Sequence, residues 1–160
     1  MDERLKLPFY NPFRLGDWVT DILGHNMQIR SLQGPLASGW YIDEEGTLHE
    51  AQGHVDRGIG CIELDEEVLG RMGFRSTQYG DWFLVLYQDG SLSEEAVQKI
   101  LSSDIPHIGY NPTKHALRIR KPPAKHDEDV TDIFVPCHFV HELQHYLDDA
   151  GFEEISFDLS

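Results

Sequence analysis

A chain of 160 residues with 28 Asp and Glu against 13 Lys and Arg carries a formal charge of −15, which repels phosphate backbones and anionic lipid and argues against direct nucleic-acid binding. Its 40% hydrophobic and 11% aromatic content is too apolar for a disordered protein, and a chain this long can bury roughly 68–70% of its unfolded surface. No segment approaches the roughly 20 apolar residues of a membrane span, and Met1-Asp2-Glu3-Arg4-Leu5-Lys6 lacks the apolar run of a signal peptide, so the expectation is a cytoplasmic protein away from membranes.

After Pro8 and Pro12, Leu15-Gly16-Asp17-Trp18-Val19 and Met27-Gln28-Ile29-Arg30-Ser31-Leu32 alternate in part and are separated by Gly24-His25-Asn26. They read as strands of a small twisted sheet or SH3-like barrel, with Gly16-Asp17-Trp18 as a turn feeding a strand. Gly34-Pro35 breaks the chain, Trp40-Tyr41-Ile42 reads as another strand, and Glu45-Gly46 supplies a turn. Residues 49 to 60, with Gly53, Gly58 and Gly60, read as loop.

Cys61-Ile62-Glu63-Leu64 alternates like a strand. Asp65 is placed to cap a short helix carrying Val68, Leu69 and Met72, with Glu66 and Glu67 favoured by the helix dipole, Gly73 ending it and Phe74 packing back. Trp82-Phe83-Leu84-Val85-Leu86-Tyr87 is the strongest buried strand and the choice for the centre of a second sheet, closed by Asp89-Gly90. Ser91 or Ser93 then caps a helix carrying Ala96, Val97, Ile100 and Leu101, with Glu94 and Glu95 in its first turn. Ala116-Leu117-Arg118-Ile119-Arg120 and Ile133-Phe134-Val135 read as strands, the first interrupted by Pro122-Pro123. The basic residues Lys114, Arg118, Arg120, Lys121 and Lys125 are followed at once by Asp127-Glu128-Asp129 and read as solvated surface. Gly-Asp-Trp recurs at 80–82 without a fixed period around it.

The class is therefore α+β: a β-rich part over residues 1–60, readable as an SH3-like barrel, and an α+β part over residues 61–160 whose C-terminal helix packs on a sheet. The two parts are compatible with one shared core.

That helix, opened by Pro136 and closed by Gly151, contains His141-Glu142-Leu143-Gln144-His145, the H-E-x-x-H pattern in which two histidines one turn apart grip zinc and a glutamate deprotonates the bound water. At about 100° per residue, however, Phe139, Val140, Leu143, Tyr146, Leu147 and Ala150 form the apolar stripe that must meet the core. His141 and His145 then face water, beside His138 and Asp148. Asp148 and Gly151 stand where a metzincin carries glycine and a third histidine; only Glu153 or Glu154 offers a further ligand. A solvated histidine face explains the pattern with fewer assumptions than a catalytic site. There is no phosphate-binding glycine loop, G-x-S-x-G elbow or C-x-x-C pair, and the only cysteines, Cys61 and Cys137, suit a reduced interior better than a disulfide framework or a nucleophile.

Gly16-Asp17-Trp18-Val19, then Ile62-Glu63-Leu64-Asp65-Glu66-Glu67-Val68-Leu69 leading to Gly73-Phe74, then Phe139-Val140-His141-Glu142-Leu143-Gln144-His145 form an ordered series. It resembles a group of small uncharacterised proteins of bacteroidete-type bacteria and their phages and prophages, over roughly residues 14–32, 61–87 and 133–151. His141, Leu143 and Gln144 match that group's helix, whereas Glu142 and His145 replace its usual Gln and Asn, so the peptidase pattern arises from the departures. The resemblance implies a phage or prophage setting and lends no activity. The expectation is a non-catalytic, acidic protein that works by binding a host or phage macromolecule, chiefly a protein. The alternative is a zinc-dependent hydrolase with His141 and His145 on the metal, Glu142 as general base, and Glu153 or Glu154 completing the site.

Overall fold

The computed structural model describes residues 11–77, 80–85, 94–102, 106–120, 132–152, 155 and 157–159. The chain divides into two units, one ending at Ile62 and one over Glu63–Leu159. Each is built on a five-stranded antiparallel sheet, and with the helices of the second unit this makes the protein α+β. No helix among the described residues is long and apolar enough to cross a membrane.

In the first unit β1 (Trp18–Thr20), β2 (Asn26–Gln33), β3 (Leu36–Ile42), β4 (Leu48–His54) and β5 (Gly60–Cys61) lie in the order β4-β3-β2-β1-β5. Gly16, at φ +91°, makes the turn that feeds Trp18 into β1. Because side chains alternate across a strand, Val19, Met27, Ile29 and Ala37 share one face and form a core with Phe13 and Val55. Full burial of an aliphatic side chain of this size stabilises by about 1.5–3 kcal/mol. The sheet is curled, and β2 shifts register between Ile29 and Ser31, a bulge that bends the strand. Beside it Gly39 lies so close to β2 that a Cβ would overlap the Gln28 carbonyl and crowd Met27.

Two turns of one design join these strands. Asp21 accepts from the N–H groups of Leu23 and His25 at 2.9 and 2.8 Å, and Asp43 accepts from those of Glu45 and Thr47 at the same distances. In each the fourth residue is a glycine at positive φ, Gly24 or Gly46, where a side chain would be strained. The expectation of a loop over residues 49 to 60 is corrected here, since β4 and β5 occupy both ends of that stretch. Outward Leu48, Glu50 and Gln52 alternate with inward His49, Ala51 and Gly53, so the strand has no apolar run to announce it.

In the second unit β6 (Arg75–Ser76), β7 (Trp82–Val85), β8 (His107–Asn111), β9 (Ala116–Arg120) and β10 (Asp132–Pro136) lie in the order β10-β9-β8-β7-β6. The centre is β8, not the expected β7. Pro106 and Gly109 disguise β8 as loop, yet Ile108 and Tyr110 are fully buried and paired to Ile119 and Leu117. Leu86, Tyr87, Asp89-Gly90, the Ser91 and Ser93 caps and Pro122-Pro123 lie outside the described residues.

The helices are α1 (Glu66–Arg71), α2 (Glu94–Ser102) and α3 (Val140–Asp149). Asp65 caps α1 by accepting from Val68 N–H at 2.9 Å. Both α1 and α3 end in the same way: Gly73 and Gly151 take positive φ, and the N–H of the following Phe74 or Phe152 bonds back to Leu69 or Leu147. Arg120 secures α2, donating to the carbonyls of Ile100 and Leu101 near its C-terminus while its guanidinium grips Asp132.

Candidate functional site

Pro136 ends β10 opposite Ala116 instead of opening α3, so the helix begins only at Val140. Phe139 occupies the cap position, and having no acceptor it leaves the capping to Glu142. The Glu142 carboxylate reaches back to accept from the N–H groups of His138 and Phe139 at 3.0 and 3.1 Å. It thereby satisfies donors that the first turn leaves open. Both bonds fall on Oε1, which commits that oxygen to the helix start.

The predicted outward facing of the histidines is corrected at His141, which is only 7% exposed, while His145 is half-buried. The Phe139 ring lies nearly parallel to the His141 ring, 10° apart with centroids 5.9 Å distant, and His145 meets His141 edge-on at 5.7 Å. The helical wheel misjudged His141 because the chain approaching the helix, and not the helix alone, covers its first turn. On the apolar side Val140, Leu143 and Leu147 are buried as the stripe requires. Among the described residues no group of three His, Cys, Asp or Glu could hold a metal ion. Glu153 and Glu154 lie outside those residues.

The neighbouring chemistry is structural. Cys137 is buried, and burial with the nearby Glu142 charge pushes its thiol up to about 12, far from a reactive thiolate. Its carbonyl accepts from the Tyr110 hydroxyl at 2.7 Å. Cys61 is exposed. The expected solvated basic residues also change character: Arg118 and the buried Arg120 both clasp Asp132, at 2.9 and 2.7 Å. Lys121 and Lys125 lie outside the described residues. A groove of about 460 Å³ beside the start of α3 is lined in part by Glu63, Asp65, His115 and His138, and its two imidazoles stack with centroids 4.4 Å apart. Asp65 there already caps α1.

The more open chemistry sits on the first unit. Tyr41 is sandwiched between His25, at 4.0 Å and 3° from parallel, and His49, at 5.0 Å. Each imidazole is held by the aspartate of a turn, His25 by Asp21 at 2.9 Å and His49 by Asp43 at 2.7 Å. Burial alone would raise the Asp21 carboxyl, but the His25 N–H and ring and the Leu23 N–H hold it below the ordinary carboxylate range. The His49 ring and the Thr47 N–H do the same for Asp43.

With Tyr41 fixed on the inner face, strand alternation turns its neighbours Trp40 and Ile42 outward. They are 45% and 47% exposed, and Leu48, directly opposite Ile42, is 57% exposed. Between Arg30 and Arg57 the chain holds Asp43, Glu44, Glu45, Glu50 and Asp56 and no Lys or Arg. On the β4 side Glu50 stands directly opposite Trp40, and the exposed Glu44 and Glu45 lie in the turn between Ile42 and Leu48. Reading the sequence in order missed Leu48 and Glu50 as surface partners of Trp40. The signal available was the repeated Asp-x-x-Gly at 21–24 and 43–46, which marks two hairpins and so places residues 48–54 in a strand.

Comparison with known protein families, with curated proteins and with solved structures finds no match to this chain.

Proposed function

We propose that the protein is a non-catalytic binding protein whose first unit presents the outer face of β3 and β4 to a basic, apolar segment of a protein partner. The observation that carries this reading is the exposed Trp40, Ile42 and Leu48 set among Glu44, Glu45 and Glu50. Large apolar side chains grouped on a surface mark interaction sites, and the carboxylates beside them favour a cationic partner and speed its encounter. The His25-Tyr41-His49 stack fits the same reading, because it stiffens the two hairpin ends and reduces the entropy lost on binding. The curled five-stranded antiparallel sheet supports an SH3-like barrel, and the resemblance to small bacteroidete and phage proteins supports a phage or prophage setting.

The test uses Trp40 as reporter. Titrating the full chain with a synthetic lysine-rich peptide bearing valines should shift tryptophan emission to the blue, and salt of about 0.5 M should weaken the response by screening. A peptide with glutamate in place of lysine should give no shift. An equal response from Trp40→Phe, or binding indifferent to salt, overturns the reading.

A further inference from the structure

The backbone of β4 provides a means for a partner to hold to this face. β4 is the edge of its sheet, with β3 on one side and no described strand on the other. Its register decides which backbone groups face outward. Just beyond the strand ends, Asp43 N–H bonds to the Thr47 carbonyl and Val55 N–H to the Pro35 carbonyl. Since hydrogen-bonded and open pairs alternate in an antiparallel ladder, Tyr41↔His49, Gly39↔Ala51 and Ala37↔Gly53 are the bonded pairs between them. The N–H and C=O groups of Leu48, Glu50 and Gln52 therefore point away from β3. The row closes at His54, whose carbonyl accepts from Arg57, Gly58 and Ile59.

The three residues with outward backbone groups are also the three whose side chains are exposed on the face with Trp40 and Ile42. Backbone pairing and side-chain recognition thus act on the same stretch. We infer that a basic, extended protein segment adds to β4 as a sixth antiparallel strand, placing a Lys or Arg opposite Glu50 and an apolar residue opposite Leu48. This rests on the reading given above and specifies its mode: the main chain supplies affinity and the alternate side chains supply selection. Charge favours such a segment over a second copy of this chain, because antiparallel pairing of β4 with itself about Glu50 sets Glu50 directly against Glu50, an unfavourable pair.

The probe is a synthetic twelve-residue peptide with valine and lysine alternating on one face of the extended chain and threonine on the other, added to the full-length protein. Binding should slow amide exchange at Leu48, Glu50 and Gln52 by about tenfold or more. Gln52→Pro should weaken binding about tenfold, because proline removes an outward donor and blocks the edge while leaving the bonds to β3 in place. Should that variant fold poorly, the unaltered protein with a peptide N-methylated at its valines and lysines makes the same test and should bind about tenfold more weakly. Glu50→Lys should cost about fivefold.

Unchanged binding of the N-methylated peptide, with loss in Trp40→Ala, overturns strand addition but leaves the face as the binding surface. Binding indifferent to Trp40→Ala and Glu50→Lys overturns both. A concentration-dependent dimer abolished by Gln52→Pro makes a second copy the occupant and overturns the basic segment, as does absence of any peptide binding.

Discussion

The two units use their charges in opposite ways. In the second, charged side chains are engaged in holding the fold: Arg118 and Arg120 clasp Asp132, Arg120 also holds α2, and Glu142 caps α3. In the first, Glu44, Glu45 and Glu50 stand exposed around Trp40, Ile42 and Leu48, while the aspartates beneath them shape the turns. The lesson is that a suggestive side chain is available for chemistry or recognition only if the backbone has not already claimed it. Glu142 has the more suggestive sequence setting, and Glu50 the more available carboxylate.

The largest effect should come from the second unit. Asp132→Ala removes the carboxylate that neutralises Arg120, only 6% exposed, and should destabilise by about 3 kcal/mol in thermal or urea unfolding. The Arg120 and Arg118 hydrogen bonds hold the Asp132 carboxyl at about 2, against about 3.9 in an unfolded chain. Because its pKa is depressed by folding, this group's contribution is complete above about pH 4 and is lost as pH falls toward 2. Asp132→Ala should flatten stability across that window, and an unchanged acid limb would separate Asp132 from the support of this unit.

In the first unit Gly39→Ala should cost about 2 kcal/mol by pushing β3 off β2, seen as a lower unfolding midpoint with lost amide protection at Met27 and Ile29. Glu142→Ala should cost about 1 kcal/mol by opening the start of α3, whereas Glu142→Gln, which keeps an acceptor, should recover most of it. If both variants unfold like the parent, the carboxylate is not a cap and the contrast between the units fails. The smallest effect on folding should follow Trp40→Ser, within about 0.5 kcal/mol. Its consequence belongs to peptide binding, so a large drop in stability there would assign Trp40 to the core.

Local signals were the legible part of the fold. Asp65 and the Gly73-Phe74 and Gly151-Phe152 pairs mark helix ends because each solves a hydrogen-bonding problem within a few residues of itself. Gly16-Asp17-Trp18 and Gly80-Asp81-Trp82 each place a positive-φ glycine just ahead of a strand for the same reason. What escaped were strands defined by their neighbours. β8 carries His107 and Gly109 in a buried centre, and Gly109 is required there because a Cβ would press against the Phe83 ring. β4 has His49, Ala51 and Gly53 inward and Leu48, Glu50 and Gln52 outward, so no apolar alternation in its own composition distinguishes it from loop. For the candidate site, Trp40 and Ile42 were legible as a strand, but their partnership with Leu48 and Glu50 depends on register.

By itself the sequence determined the acidic charge, the α+β class, the Asp65 cap, the glycine ends of α1 and α3 and the apolar side of α3, all of which follow from composition or from contacts a few residues long. Tertiary structure alone decided that Arg120 and Asp132 are paired and that Leu48, Glu50 and Gln52 turn their backbone outward. Each of these depends on how segments distant in the chain are paired or packed, and a one-residue change of strand register would reverse which side chains and which backbone groups face the solvent.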